Sequence, residues 1–202
     1  MYTLHYAPDN ASLIIRLVLD GAGISYRTAL VDRRSRQQDS PAYRTLNPAG
    51  LVPTLETPQG PISETGAILL WLADTHQLGP ASGHADRPQF LKWLFYLSNT
   101  AHADLRMIFY PHQYAPADRI AAHHEITSAR MLQHFALIDA AAGKSPHLFA
   151  PATPLGVYAV TLTRWSALYP AHAPRWFDLA AFPALLSLAH AQEARVETPV
   201  IA

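Results

Sequence analysis

The reading of this chain turns on Asn47-Pro48-Ala49-Gly50-Leu51-Val52-Pro53 and, shortly after it, Ser63-Glu64-Thr65-Gly66-Ala67-Ile68. Asparagine, proline and glycine each favour a turn for a separate reason, and Leu51 to Glu56 then reads as a strand. Thr57-Pro58-Gln59-Gly60 is a tight turn, and Pro61 to Ser63 a short returning strand. Thr65 to His76 follows as a strongly apolar helix. A hairpin thus runs directly into a helix. Two features of that junction bear on binding. An X-Pro bond such as Val52-Pro53 can be cis at modest cost, although on the dipeptide alone a trans proline ending an edge strand is the plainer reading. Glu64-Thr65, where strand meets helix, offers a hydroxyl, free N–H groups and a helix dipole to a carboxylate; alone, it also reads as a simple helix cap.

Working outward, Tyr2 to Tyr6 is a strand closed by the breaker cluster Ala7-Pro8-Asp9-Asn10. Ser12 to Asp20 has apolar residues at helical spacing and stops at Gly21 and Gly23. Ser25 to Val31 is a second strand, and Asp32 to Asp39 a polar loop. Ser40-Pro41 has the form of a cap followed by proline at the first helical position, opening a short helix to Leu46. The order is β-α-β-α-β-β-α. Gln77 to Asp86 reads as a linker, after which the pattern is all helix: Pro88 to about Tyr110, Pro116 to Ala142, Pro154 to Tyr169 and Pro183 to Ala194. The fold class is α/β plus all-α.

Composition narrows the chemistry. The chain has 202 residues, half of them hydrophobic, with 15 basic and 15 acidic side chains. That balance draws it to neither nucleic acid nor an anionic membrane. It has no cysteine, so disulfides and a protein thiol nucleophile are excluded, and any thiol must arrive with a ligand. The first residues lack the pattern of a signal peptide, and a cytoplasmic location is expected.

The two opening motifs, with the distance between them, resemble the cytosolic glutathione S-transferases. Further stretches are similar to the same family: Ala7-Pro8, Lys92-Trp93-Leu94 through His102, Thr153-Pro154-Leu155-Gly156 through Arg164-Trp165, Phe182-Pro183-Ala184-Leu185, and Thr198-Pro199-Val200. The resemblance implies a thioredoxin-like N-terminal domain over 1–77 that binds glutathione. It also implies an all-helical C-terminal domain over 86–202 that supplies the electrophile pocket, and a homodimer. In the family the bond matching Val52-Pro53 is cis, and the Val52 N–H and C=O then pair with glutathione as an added strand. Glu64 would meet the ligand's ammonium group and Thr65 its γ-glutamyl carboxylate. Arg36 falls where bacterial relatives place a basic residue near the glycine carboxylate. With Arg33 and Arg34, it also reads as part of a solvated cluster.

In this family the nucleophile is the thiol of glutathione, and the protein stabilises the thiolate. Asn10, Ser12 and, further back, Tyr6 are the candidate donors. Capping of the first helix is the competing role for Asn10 and Ser12, and core packing for Tyr6. Beta-class-like bacterial transferases carry cysteine where this chain has Ala11, so chemistry through a protein–glutathione disulfide is not available. His102 matches a histidine that lines the active site in bacterial relatives. Gly156 stands where the family has an aspartate completing a capping box, which implies an altered helix start and lost stability. His123, His124, Glu125 and His134 lack metal-binding spacing and are expected on the surface. Phe109, Tyr110, Tyr114, Trp165 and Tyr169 are expected mostly in the core. The function these features imply is conjugation of glutathione to small hydrophobic electrophiles, in detoxification, without metal. The alternatives are a non-catalytic glutathione- or protein-binding member, or a glutathione-dependent lyase or reductase.

Overall fold

The computed structural model describes residues 1–170 and 175–194; Thr198-Pro199-Val200 lies outside the described residues. The chain divides into two compact units, Met1–Arg87 and Pro88–Ala202.

The first unit has the expected thioredoxin-like order: β1 (Tyr2–Tyr6), α1 (Ser12–Gly21), β2 (Tyr26–Leu30), α2 (Pro41–Leu46), β3 (Thr54–Thr57), β4 (Gly60–Ser63) and α3 (Thr65–His76). The sheet order is β2-β1-β3-β4. Strands β1 and β2 are parallel, joined through α1, whereas β3 runs antiparallel to both β1 and β4. Leu4 faces Leu55 across the β1–β3 pair, and both are fully buried. Ile14, Ile15, Val18 and Leu19 of α1, with Ile68, Leu69 and Leu72 of α3, complete the core. Each such side chain contributes about 1.5–3 kcal/mol by leaving water. Strand β3 starts at Thr54, later than Leu51, because the Leu51 carbonyl accepts from the Tyr43 hydroxyl and the Asn47 amide at 2.7 and 2.8 Å. Side chains there take the place of a ladder. Ser40 caps α2 as expected, its Oγ accepting from the Tyr43 N–H at 3.2 Å.

The second unit is helical: α4 (Arg87–Tyr96), α5 (His102–Phe109), α6 (Ile120–Lys144), α7 (Pro154–Leu168) and α8 (Pro183–Glu193). The single helix expected to about Tyr110 is interrupted by a π-helical turn at Leu97–Ala101. Such a turn holds an extra residue and rotates everything after it, so α5 presents a different face from a straight continuation of α4. A buried polar chain ties α4, α5 and α6 together. Asp104 accepts from Arg130 at 2.6 Å and pairs with His134 at 2.8 Å, and His134 Nδ1 meets the Tyr96 hydroxyl at 2.7 Å. The expected surface placement of the histidines is corrected. His134 is locked in this chain, while His123 is half-buried beside the Met107 carbonyl and stacked on Tyr114.

The start of α7 also departs from expectation. Thr153 still caps it, accepting from the Gly156 N–H at 3.1 Å. Its own N–H donates to the Ala150 carbonyl at 2.9 Å. The carbonyl therefore does what the missing aspartate would have done. A Cβ on Gly156 would stand 2.2 Å from that same oxygen. The helix start is intact, and glycine is what lets the 149–150 backbone close on it.

Candidate functional site

Strand register assembles the candidate residues at one end of the sheet. His5 pairs with Thr54 and Thr54 with Ser63, so the end of β1, the start of β3 and the end of β4 lie side by side. Ala7 to Ser12 leaves the first, Val52-Pro53 precedes the second, and Glu64-Thr65 follows the third. The parallel β2 ends there too, with the Val31 N–H on the Tyr6 carbonyl at 2.8 Å. Both α1 and α3 begin at this end, so two positive helix termini converge on it.

The Val52-Pro53 bond is cis. No described residue hydrogen-bonds the Val52 main chain. Its neighbours are fixed from behind: the Tyr43 hydroxyl bridges the Leu51 carbonyl and Thr54 Oγ1, and Asn47, itself buried, holds both Leu51 and Ala49. Burial raises the Tyr43 phenol further above neutral pH, so it remains a donor. This bracing role of Tyr43 was missed in the sequence; an aromatic residue inside a short helix resembles ordinary core.

Glu64 is exposed, has φ of 69°, and occupies the N-cap of α3 without a side-chain capping bond. Its carbonyl accepts from the Ile68 N–H. The N–H groups of Thr65, Gly66 and Ala67 have no intrahelical acceptor, as at any helix start. The Thr65 hydroxyl bonds no described residue either. Thr65 is thus the first helical residue rather than the cap.

At the start of α1 the donors separate. The Ser12 hydroxyl donates to the Ala7 carbonyl at 3.1 Å and accepts from the Ala7 N–H at 3.3 Å, and the residue is 1% exposed. That corrects both readings of Ser12: the hydroxyl is neither a spare donor nor a cap. Ala11 takes the cap position with no side-chain bond. Asn10 differs, because its Oδ1 is buried without a partner among the described residues. An unpaired buried acceptor costs about 1–3 kcal/mol. Tyr6 is half-buried, and its hydroxyl bonds no described residue.

Arg36 has φ of 57° and its Nε donates to Asp39 at 2.8 Å, while Arg44 takes the other Asp39 oxygen at 2.9 Å. The Arg36 bond, then the Arg44 bond, hold the Asp39 carboxyl below its usual range. Arg36 remains mostly exposed.

In the helical unit, His102 Nδ1 meets the Tyr158 hydroxyl at 2.9 Å, and its ring centre lies 5.5 Å from that of Trp165. Desolvation among these rings, and then the charge of Arg106, push its pKa down to about 4, so the imidazole is neutral at physiological pH. Of the aromatic residues expected in the core, Trp165 is buried, whereas Tyr114 and Tyr169 are 42% and 39% exposed and Phe109 and Tyr110 are half-buried. Among the described residues no group of three metal-ligating side chains occurs, and no helix is long and apolar enough to cross a membrane.

Comparison with known proteins agrees with this geometry. Residues 11–75 match the family model of the glutathione S-transferase N-terminal domain. The chain is 28% identical over 141 residues to glutathione S-transferase GST-4.5 of Xanthomonas campestris, covering 68% of each chain. It is 29% identical over 124 residues to glutathione S-transferase GstA of Escherichia coli O157:H7, covering 57% of this chain and 62% of that one. A sphingomonad glutathione S-transferase solved in complex with glutathione superposes with a TM-score of 0.71 at 25% identity, over 98% of this chain and 94% of that one. The Val52-Pro53 turn and the start of α3 thus lie in a stretch that matches the glutathione S-transferase N-terminal domain, within a chain similar to glutathione S-transferases over most of its length.

Proposed function

We propose that this protein binds glutathione at the sheet end of its first unit and transfers it to small hydrophobic electrophiles. The observation that carries the reading is the unpaired Val52 main chain beside the free N-terminus of α3. The Val52 N–H and C=O would align the tripeptide backbone. The N–H groups and hydroxyl at Thr65 would take the γ-glutamyl carboxylate, and Glu64 its ammonium group. Arg36, already shared with Asp39, would lie toward the glycine carboxylate. The relatives' names and the glutathione in the sphingomonad complex support this assignment.

The sulfur would be held by Asn10. A neutral amide cannot remove a proton, but its two N–H donors favour a thiolate over a thiol. The start of α1 assists through its dipole and the N–H groups of Ala11 and Ser12. Tyr6 is left as a secondary contact, and the helical unit, with His102, would supply the surface for the second substrate. A second reading, binding without catalysis, is favoured by one observation: Ala11 and the Ser12 hydroxyl offer the sulfur nothing.

Calorimetric titration with glutathione tests the assignment. Thr65→Val should weaken binding about tenfold, as loss of a hydrogen bond to a charged group does. Glu64→Gln should weaken it up to about fivefold, as for an exposed ion pair. Unchanged affinity in both variants would remove this end of the sheet as the site.

A further inference from the structure

Arg106, in the helical unit, has no acidic partner among the described residues. Arg106 lies one turn after His102 on α5, so the two share a face, and one turn before Tyr110, which closes the helix. Its Nε donates to the Tyr114 hydroxyl and its Nη2 to Gln113 Oε1, each at 3.0 Å, and its guanidinium lies 5.1 Å from the centre of the Tyr110 ring. Every one of these partners is neutral. Among the described residues no carboxylate lies within 4.0 Å of it; the nearby Asp104 is occupied by Arg130 and His134. Two of the five guanidinium N–H donors are used, so a flat, bidentate pair of oxygens can still be met.

The surroundings are aromatic. The His102 ring is 5.5 Å from Trp165, and Phe109 is 5.8 Å from Tyr169, so the helix that carries this cation also carries rings packed on aromatic residues in and just after α7. The His102 ring is neutral and adds no competing charge. The simplest role for Arg106 is to fasten the turn at 111–114. That role uses neutral acceptors and leaves the charge uncompensated by any described residue.

We propose that Arg106 is a specificity residue that selects acceptor molecules carrying a carboxylate on an aromatic body. The rings take the apolar part and the guanidinium takes the acid. This rests on the reading that the helical unit receives the second substrate, and it names the class of that substrate.

Calorimetry with 3,5-dinitrobenzoate and with neutral 1,3-dinitrobenzene, neither of which can react, tests it without needing catalysis. The acid should bind about tenfold or more tightly than the neutral ring, as a charge-assisted pair implies. Its affinity should fall as salt is raised from low to high, because the pair is partly exposed. In Arg106→Gln the ratio of the two affinities should drop to near one, and Arg106→Lys should keep part of it. Equal affinities in the unaltered protein, no binding of either ring, or a ratio untouched in Arg106→Gln would each overturn the proposal. The salt series needs no variant, so a variant that fails to fold leaves the test intact. Acid binding that depends on Arg106 while glutathione fails to bind would uphold this inference and remove the transferase reading instead.

Discussion

Replacing Gly156 by aspartate, the residue that the family resemblance leads one to expect, should harm this protein. In a capping box that carboxylate would accept the N–H of Thr153 and add about 1 kcal/mol. Here the Ala150 carbonyl already accepts that N–H at 2.9 Å, so nothing is gained. The cost is steric. A Cβ at position 156 would stand 2.2 Å from the Ala150 oxygen, 2.7 Å from the Phe149 oxygen and 2.9 Å from the Ala150 carbonyl carbon, where ordinary contact begins at 3.4 Å. These are backbone atoms and cannot rotate aside, so the segment must move by about 1 Å, at an overpacking cost of about 1–3 kcal/mol. The move would also stretch the Thr153 hydroxyl's one donated bond, shared between the Leu148 and Ala150 carbonyls at 2.8 Å each, at about 1 kcal/mol. The expected loss is about 2–4 kcal/mol, or a fall in melting temperature of about 4–16 °C for a chain of this size. Urea denaturation of Gly156→Ala and Gly156→Asp measures it. An alanine variant within about 0.5 kcal/mol of the parent, the range of an ordinary surface change, would refute the close approach, and a more stable aspartate variant would refute the substitution of carbonyl for carboxylate.

Other outcomes follow from the same structure. Asp104→Ala should cost about 3–5 kcal/mol in the same assay, since it strands the His134 and Arg130 partners of a buried carboxylate; a loss below about 1 kcal/mol would mean the chain is a surface ion pair in effect. His102 is neutral when folded down to about pH 4 but takes up a proton near pH 6.5 when unfolded. The unfolded chain therefore binds more protons in that window, and stability falls as pH drops through it, by up to about 3 kcal/mol from this group. His102→Gln should flatten that part of the curve, and an identical slope would assign the acid sensitivity elsewhere. Tyr43→Phe should lose about 1–2 kcal/mol of stability by unpairing Leu51 and Thr54, and should weaken glutathione binding through the loosened Val52 turn; unchanged binding would separate the brace from the site.

Much of the fold was legible because its punctuation is explicit. Asn47 to Pro53 and Thr57 to Gly60 mark turns by residue type alone, and Ser40-Pro41 announces a cap that the structure shows. The π-helical turn at Leu97–Ala101 was not legible, because its residues are ordinary helix formers and only packing decides where an extra residue is inserted. The site divided in the same way. In the proposed site Val52-Pro53 and Glu64-Thr65 would act through backbone, which a motif specifies well. What Asn10 and Ser12 can offer depends on side-chain aim, and serine in sequence carries no sign that its hydroxyl will turn back to Ala7. Gly156 is the sharpest case: its missing carboxylate reads as a defect until the approach of the 149–150 backbone is seen. Arg106 was hidden for the opposite reason, since the lack of a described acidic partner is visible only once the neighbours are placed.

We propose that the end of the first unit's sheet holds glutathione and draws its thiol toward the thiolate. Ultraviolet difference spectroscopy of bound glutathione, followed against pH, reads that directly. The thiol should titrate well below its free value of about 8.5, and Asn10→Ala should raise it back toward that value while Ser12→Ala should not. Glutathione bound with an unshifted thiol would contradict activation and leave a binding protein; a shift lost in Ser12→Ala and kept in Asn10→Ala would contradict the geometry assigned to the start of α1.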